Sequence, residues 1–194
     1  MKAYRFPLDL AELERPHVRI SEYRNLLELK RYFNHVAKSR QYFFLTLDEL
    51  QVIARYKLGA RFSGWLSRHH NVLTEQLVQT QTRNVFGFTD PNFDRLIAAQ
   101  IEELTRLPGV GVRLASAVLS ISHSKLDLPI GDDRLWEALF PFAQLPSCWT
   151  AEHYRIVLIK LRDVRRTLGW ESLAELEFAI WNWHRRWNTM PCRR

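Results

Sequence analysis

The chain has 194 residues, 46% of them hydrophobic and 12% aromatic, which suffices for a buried core and excludes a disordered or collagen-like polypeptide. Its 28 Lys and Arg against 21 Asp and Glu leave a net charge of +7, a surplus that favours an anionic partner without specifying a function. Two cysteines, Cys148 and Cys192, cannot furnish the four thiolates of an iron–sulfur cluster or a Cys-only zinc site, nor the framework of a secreted disulfide protein.

The opening Met1–Pro7 has no apolar signal core, and charges interrupt every later apolar run before it reaches the ~18 residues of a membrane span. A cytoplasmic, membrane-free protein is expected. No repeat, Gly/Ser linker or low-complexity tract divides the sequence, which reads as one domain over 1–194.

Apolar side chains at helical spacing (Tyr23, Leu26, Leu27, Phe33, Ala37) predict a first helix over about 21–38. Thr46-Leu47-Asp48-Glu49 has the order of a capping box opening a second helix, which Gly59 suits as its end. Asn71 is the candidate cap of a helix over about 72–85. Asp90-Pro91, a capping acid followed by a first-turn proline, opens another that runs toward Leu104. Thr150 and Ser172 are further caps, the latter with Glu175 three positions on, and Gly169 closes the helix between them. Strand-type alternation is hard to find anywhere, so the expected fold class is all-α.

Two of these helices meet at Leu107-Pro108-Gly109-Val110-Gly111, a helix-hairpin-helix over about 99–122. Pro108 stops the first helix, Gly109 and Gly111 permit positive φ and remove side chains, and Val110 can plug back between the helices. Such a turn lets a phosphate reach bare N–H groups at a helix N-terminus, gripping nucleic acid without reading its sequence. An ordinary helical hairpin is the simpler reading of a lone Gly-x-Gly. Some twenty residues further on, Leu128-Pro129-Ile130-Gly131-Asp132-Asp133-Arg134 brings a Pro-containing loop to the start of a helix. By composition alone Asp132 is a helix cap.

The hairpin with Ala115-Ser116-Ala117-Val118-Leu119, taken with Asp132 at that spacing, resembles the helix-hairpin-helix DNA glycosylase superfamily (HhH-GPD type), which contains endonuclease III and the adenine, 3-methyladenine and 8-oxoguanine glycosylases. The resemblance implies a DNA N-glycosylase that flips a damaged or modified base and excises it, in repair or in defence against phage with modified DNA. Asp132 is then the catalytic carboxylate, with Asp133 the alternative. An anion beneath the sugar stabilises the oxocarbenium-like transition state and can activate water. A non-catalytic DNA-binding protein built on the same hairpin is the competing class.

Members that also cleave the strand carry a lysine where this chain has Arg113, and a guanidinium cannot form their Schiff base. The resemblance therefore implies a monofunctional enzyme that leaves an abasic site. Arg113 touches phosphate, pairs with Asp132, or is a solvated helix-start residue. The likeness to a poorly characterised branch of the superfamily extends over roughly residues 50–187 and includes Tyr56-Lys57-Leu58-Gly59-Ala60-Arg61. Lys57 and Arg61 would line the DNA side or the pocket, with plain surface charge as the alternative, and Arg134 would orient Asp132 or reach a phosphate, with a local salt bridge as the alternative.

DNA contacts are thus expected from Pro108, Gly109, Val110, Gly111, Arg113, Lys57, Arg61 and Arg134. The partner is double-stranded DNA, the protein a monomer, and no cofactor or metal is expected beyond a monovalent cation permitted at the hairpin carbonyls. Trp136, Trp65, Tyr42, Phe43 and Trp181 are candidate pocket walls, and the loops near Tyr42 and after Thr80 are candidate intercalation sites. Arg155, Lys160, Arg162, Arg165 and Arg166 suit a DNA surface or a solvated helix. The spacing of His69, His70, His123 and His184 does not suggest a zinc site.

Overall fold

Helical periodicity in the sequence becomes helix along the chain in the computed structural model, which describes residues 8–16, 21–123 and 126–189, with side chains to residue 186. Met1–Pro7 and Cys192, both used above, lie outside the described residues. Among the described residues there are nine α-helices and no strand: α1 (Ser21–Ser39), α2 (Leu47–Leu58), α3 (Phe62–His69), α4 (Glu75–Phe86), α5 (Phe93–Leu104), α6 (Val112–Ser122), α7 (Asp133–Leu139), α8 (Ala151–Leu168) and α9 (Leu173–Thr189). The protein is all-α, as its sequence pattern predicts. No helix among these is long and apolar enough to cross a membrane.

Most helix ends follow the capping chemistry. Thr46 and Glu49 form the full capping box of α2, and Glu49 is held in turn by both terminal guanidinium nitrogens of Arg40. Gly59 ends α2 with φ 53°, and Gly169 ends α8 in the left-handed region. Thr150 caps α8, with His153 completing the box, and the Ser172 hydroxyl accepts the Glu175 N–H at the start of α9.

Two starts differ from expectation. Helix α4 is capped by Thr74 rather than Asn71. The Val72 and Leu73 N–H groups both bond to the His69 carbonyl, so residues 70–73 form the turn that closes α3 and Asn71 lies within it. Helix α5 is capped by Asn92, whose side chain accepts the Arg95 N–H. Asp90 instead accepts the Asn92 N–H at 2.7 Å, a turn that spans Pro91 and delivers Asn92 to the cap position.

At the centre lies α6, with Val112 and every residue from Leu114 to Ser122 buried. A helix apolar on all sides must be enclosed, and α6 is covered by α1, α2, α5 and α8. Its buried serines are satisfied: Ser122 bonds back to the Val118 carbonyl, while Ser116 and Ser120 reach the loop that follows. Those two side chains make the core helix a template for that loop.

Candidate nucleic-acid interface and active-site cavity

The hairpin joins α5 to α6. Helix α5 ends at Leu104, before Pro108, and the Leu107 and Val110 N–H groups turn back onto the Leu104 and Leu107 carbonyls. Val110 is buried, plugging the helix pair as expected. Gly109 has φ 77°, but Gly111 is extended at φ −85°, ψ 171°, so only the first glycine needs a positive φ. Gly111 is exposed, open space lies where its Cβ would be, and no side chain caps α6. The N-terminal amides of α6 are thus uncapped, with no Cβ at Gly111 in front of them, the arrangement that suits a phosphate.

Helix α3 holds this turn from behind. The Trp65 indole donates to the Gly109 carbonyl at 2.8 Å, and a Cβ on Gly109 would come within 2.7 Å of the His69 ring. Trp65 is thus a hairpin buttress rather than a pocket wall. Gly109→Ala combines a disfavoured φ with that collision. It should cost about 1–3 kcal/mol, read as a lowered urea midpoint together with weaker duplex binding. An unchanged midpoint would show that the turn relaxes around the methyl group.

From α6 the chain returns as the loop 128–132, and its polar backbone atoms are taken up one by one. The Leu128 carbonyl accepts from Ser120, the Pro129 carbonyl from the Tyr154 hydroxyl and the Gly131 carbonyl from Lys57. The Ile130 N–H goes to Glu177, and the Gly131 N–H to the Ser116 hydroxyl. A Cβ on Gly131 would sit 3.1 Å from the Ser116 oxygen and 3.3 Å from Trp149 and Tyr154, so only glycine fits comfortably. A loop so fully bonded holds whatever it presents in one place.

It presents Asp132. This residue caps α7, its Oδ1 accepting the Arg134 N–H at 3.0 Å, while its Oδ2 accepts from Lys57 Nζ at 2.8 Å. Burial pushes the carboxyl up, but the Lys57 charge and hydrogen bond, with the Arg134 N–H and charge, outweigh it and hold it below the ordinary carboxylate range. Asp132 is ionised at neutral pH. Asp133 is committed elsewhere: it accepts the Trp149 indole N–H at 2.9 Å and pairs with Arg113. Arg113 thus joins Asp133, not Asp132, tying the first turn of α6 to the first turn of α7.

Asp132 and Lys57 line a cavity of about 150 Å³ together with Glu22, Tyr56, Ile130, Glu177, Phe178 and Trp181. That is the volume class of a site for one aromatic ring system. Burial pushes Glu177 up to about 8, with nearby Asp132 adding to the rise and Lys57, Lys30 and the Ile130 N–H opposing it. Tyr56 is raised by burial, with Glu177 and Glu22 adding to the effect. The cavity lining therefore holds two carboxyls kept charged, Asp132 and Glu22, and one kept neutral, Glu177.

Other residues expected at the site disperse. Of the proposed walls only Trp181 lines the cavity, its indole flanked by the guanidinium groups of Arg134 at 4.9 Å and Arg185 at 5.0 Å. Trp136 is core, packed on Phe140, Trp149 and His153, and Phe43 packs on Phe86. Tyr42 is exposed in a loop, whereas the residues after Thr80 continue α4 to Phe86 and form no loop. Arg61 is exposed between α2 and α3, away from the cavity lining. On α8, Arg155, Arg162, Arg165 and Arg166 pair with Glu152, Asp94, Asp127 and Asp163, which reduces the case for that helix as a phosphate surface. No cluster of His, Cys, Asp or Glu suited to a metal ion occurs among the described residues.

Glu22, Tyr56, Glu177 and Phe178 are cavity residues to which the sequence assigned no role. Glu177 left a trace: Leu173, Leu176 and Ile180 define the buried face of α9, and position 177 falls on that face.

Residues 92–121, which contain α5, the turn and nearly all of α6, match the family model of the helix-hairpin-helix motif. No curated protein and no solved structure matches the chain. The protein carries a helix-hairpin-helix element, and that element points to nucleic-acid binding.

Proposed function

We propose that this protein grips duplex DNA through the hairpin and hydrolyses the N-glycosidic bond of a damaged or modified base, leaving an abasic site. The observation that carries the reading is Asp132: a charged carboxylate at a cavity sized for one aromatic ring system, on a loop bonded to the helix whose N-terminus is the hairpin. Glycosidic cleavage places positive charge on the sugar, and a fixed anion in a partly buried site stabilises it without reorganisation. Trp181, Tyr56 and Phe178 provide aromatic surface for a base taken out of the stack.

Arg113, in the position of the strand-cleaving lysine of the resembled superfamily, offers a guanidinium rather than an attacking amine and is bound to Asp133, in keeping with a monofunctional enzyme. The reaction calls for no organic cofactor. A monovalent cation at the hairpin carbonyls, which the resemblance permits, would add positive charge near the bound phosphate. We take the protein as a monomer acting on double-stranded DNA.

The test is base release, by mass spectrometry and alkali-sensitive abasic sites. The duplexes carry single uracil, hypoxanthine, 8-oxoguanine, N7-methylguanine or hydroxymethylcytosine residues. Release of one or more is expected; a phage-type base alone would place the activity in defence, a damaged base in repair.

One observation favours a second reading, a non-catalytic DNA-binding protein: both Asp132 oxygens already have partners, as in a purely structural cap. Salt-sensitive duplex binding with no release from any substrate would select it. Gly111→Glu separates the hairpin from both readings. The site is open and φ is ordinary, so the variant should fold normally. Affinity should fall about tenfold or more for all sequences alike, because a phosphate grip reads no base. Unchanged affinity would turn the hairpin away from DNA.

A further inference from the structure

Glycosidic hydrolysis raises a second chemical demand that Asp132 does not meet. When the C1′–N bond breaks, its electron pair passes to the base, and an uncharged base leaves far more easily if an acid protonates it as it goes. An ionised carboxylate cannot supply that proton. The cavity contains a group that can.

We propose that Glu177 is the general acid of this site, donating its carboxylic proton to a ring nitrogen or carbonyl oxygen of the departing base. The proposal rests on the glycosylase reading above and narrows it to uncharged bases, which need such a proton. Glu177 lines the same cavity as Asp132 yet is buried on the inward face of α9.

The groups around it come from α1, α2, α8 and the loop into α7. Lys30 and Glu22 stand on α1, Tyr56 and Lys57 on α2, Ile130 and Asp132 on the loop into α7, and Tyr154 on α8. Lys57 is committed to Asp132 and the Gly131 carbonyl. Burial, reinforced by the Asp132 charge, outweighs the cations and the Ile130 N–H, so Glu177 keeps its proton up to a pH of about 8. Two carboxyls whose surroundings drive them apart in this way divide the roles of acid and anion.

The step balances as a hydrolysis. The Glu177 proton goes to the base, water adds to C1′, and Asp132 receives the proton that the water gives up. Glu177 ends ionised and Asp132 neutral, and proton exchange through solvent resets the pair. DNA and water become an abasic sugar and the free base.

The experiment is the pH profile of single-turnover base release from duplexes carrying uracil, hypoxanthine, 8-oxoguanine or hydroxymethylcytosine, with N7-methylguanine, a cationic base that departs without protonation, as comparison. The wild-type rate on an uncharged base should fall as pH rises through about 8, where Glu177 ionises. Glu177→Gln should lower that rate at least 100-fold and abolish the alkaline limb; Glu177→Asp, which keeps an acid, should restore part of the rate and the limb.

The native state holds a proton that the unfolded chain has lost above about pH 4.5, so wild-type stability declines from there to about pH 8. Glu177→Gln should flatten that decline and melt no lower than wild type at pH 8, a control for folding. If Glu177→Gln does not fold, the wild-type limb and Glu177→Asp decide the question. Glu177→Gln at the wild-type rate, a limb that persists in it, a wild-type profile without the limb, or release confined to N7-methylguanine would each overturn the proposal while leaving the glycosylase reading intact. No release from any duplex would overturn both.

Discussion

Asp132→Asn should abolish base release and spare DNA binding. The amide keeps an oxygen for the Arg134 N–H, and asparagine caps as well as aspartate, so the start of α7 survives. What disappears is the negative charge, and a charge aimed at a developing oxocarbenium ion contributes on the order of 10²–10⁴ in rate. Affinity should be unchanged or higher, because a carboxylate near phosphates becomes neutral. Single-turnover release and fluorescence anisotropy on the same duplex measure the two effects. Binding that collapses together with release would make Asp132 a structural cap, and release that persists would move the chemistry elsewhere.

Lys57→Met should be the most damaging change to stability near the cavity. Lys57 is the chief cation that offsets the burial of Asp132, ahead of Arg134, and it also holds the Gly131 carbonyl. Removing it strands a partly buried carboxylate beside Glu177. A loss of about 2–3 kcal/mol at pH 7 is expected, below the range for fully buried pairs because Asp132 retains some exposure.

The sign with pH follows from the carboxyl. In the wild type Asp132 is lowered, so its stabilising contribution is present above the unfolded value near 3.8 and is lost as pH falls through the folded one. Without Lys57, burial dominates, the carboxyl rises, and stability instead declines as pH climbs past 3.8. The gap between wild type and variant should therefore be small near pH 3 and widen toward pH 7, as urea titrations at the two pH values would reveal. An equal gap at both would mean that Lys57 acts by packing alone.

Much of this fold could be read from the chain because the signals are local. Thr46 with Glu49, Ser172 with Glu175, and Gly169 act within a few residues of their own positions, and the hairpin declares itself in five consecutive residues. The two caps misassigned, Asn71 and Asp90, failed for a related reason: several polar residues compete for one helix start, and turn geometry around Leu73 and Pro91 decides among them. The loop bearing Asp132 was legible through its spacing from the hairpin. Its partners were not, since Lys57 lies 75 residues away along the chain and Glu177 enters from the last helix. Arg113 chose Asp133 over Asp132 because Asp133 starts the helix proper, next to the first turn of α6, while Asp132 turns toward Lys57. Trp65, a plausible base-stacking ring by composition, proved to be the support of Gly109, a role that only the position of α3 could disclose.

The difference between those two kinds of contact has a consequence for how the molecule assembles. The hairpin closes between Leu104 and Val112, a short excursion, whereas the Lys57–Asp132 pair closes across 75 residues. By the logarithmic growth of loop entropy the latter costs about 2 kcal/mol more before any contact rewards it. Helices α5 and α6 can thus dock as a local unit, but the charged carboxylate and its neutral neighbour meet only when α2, the 128–132 loop and α9 have all come together. In a partly folded chain the hairpin can form before Asp132 and Glu177 meet, and the proposed reactive pair exists only in the completed native state.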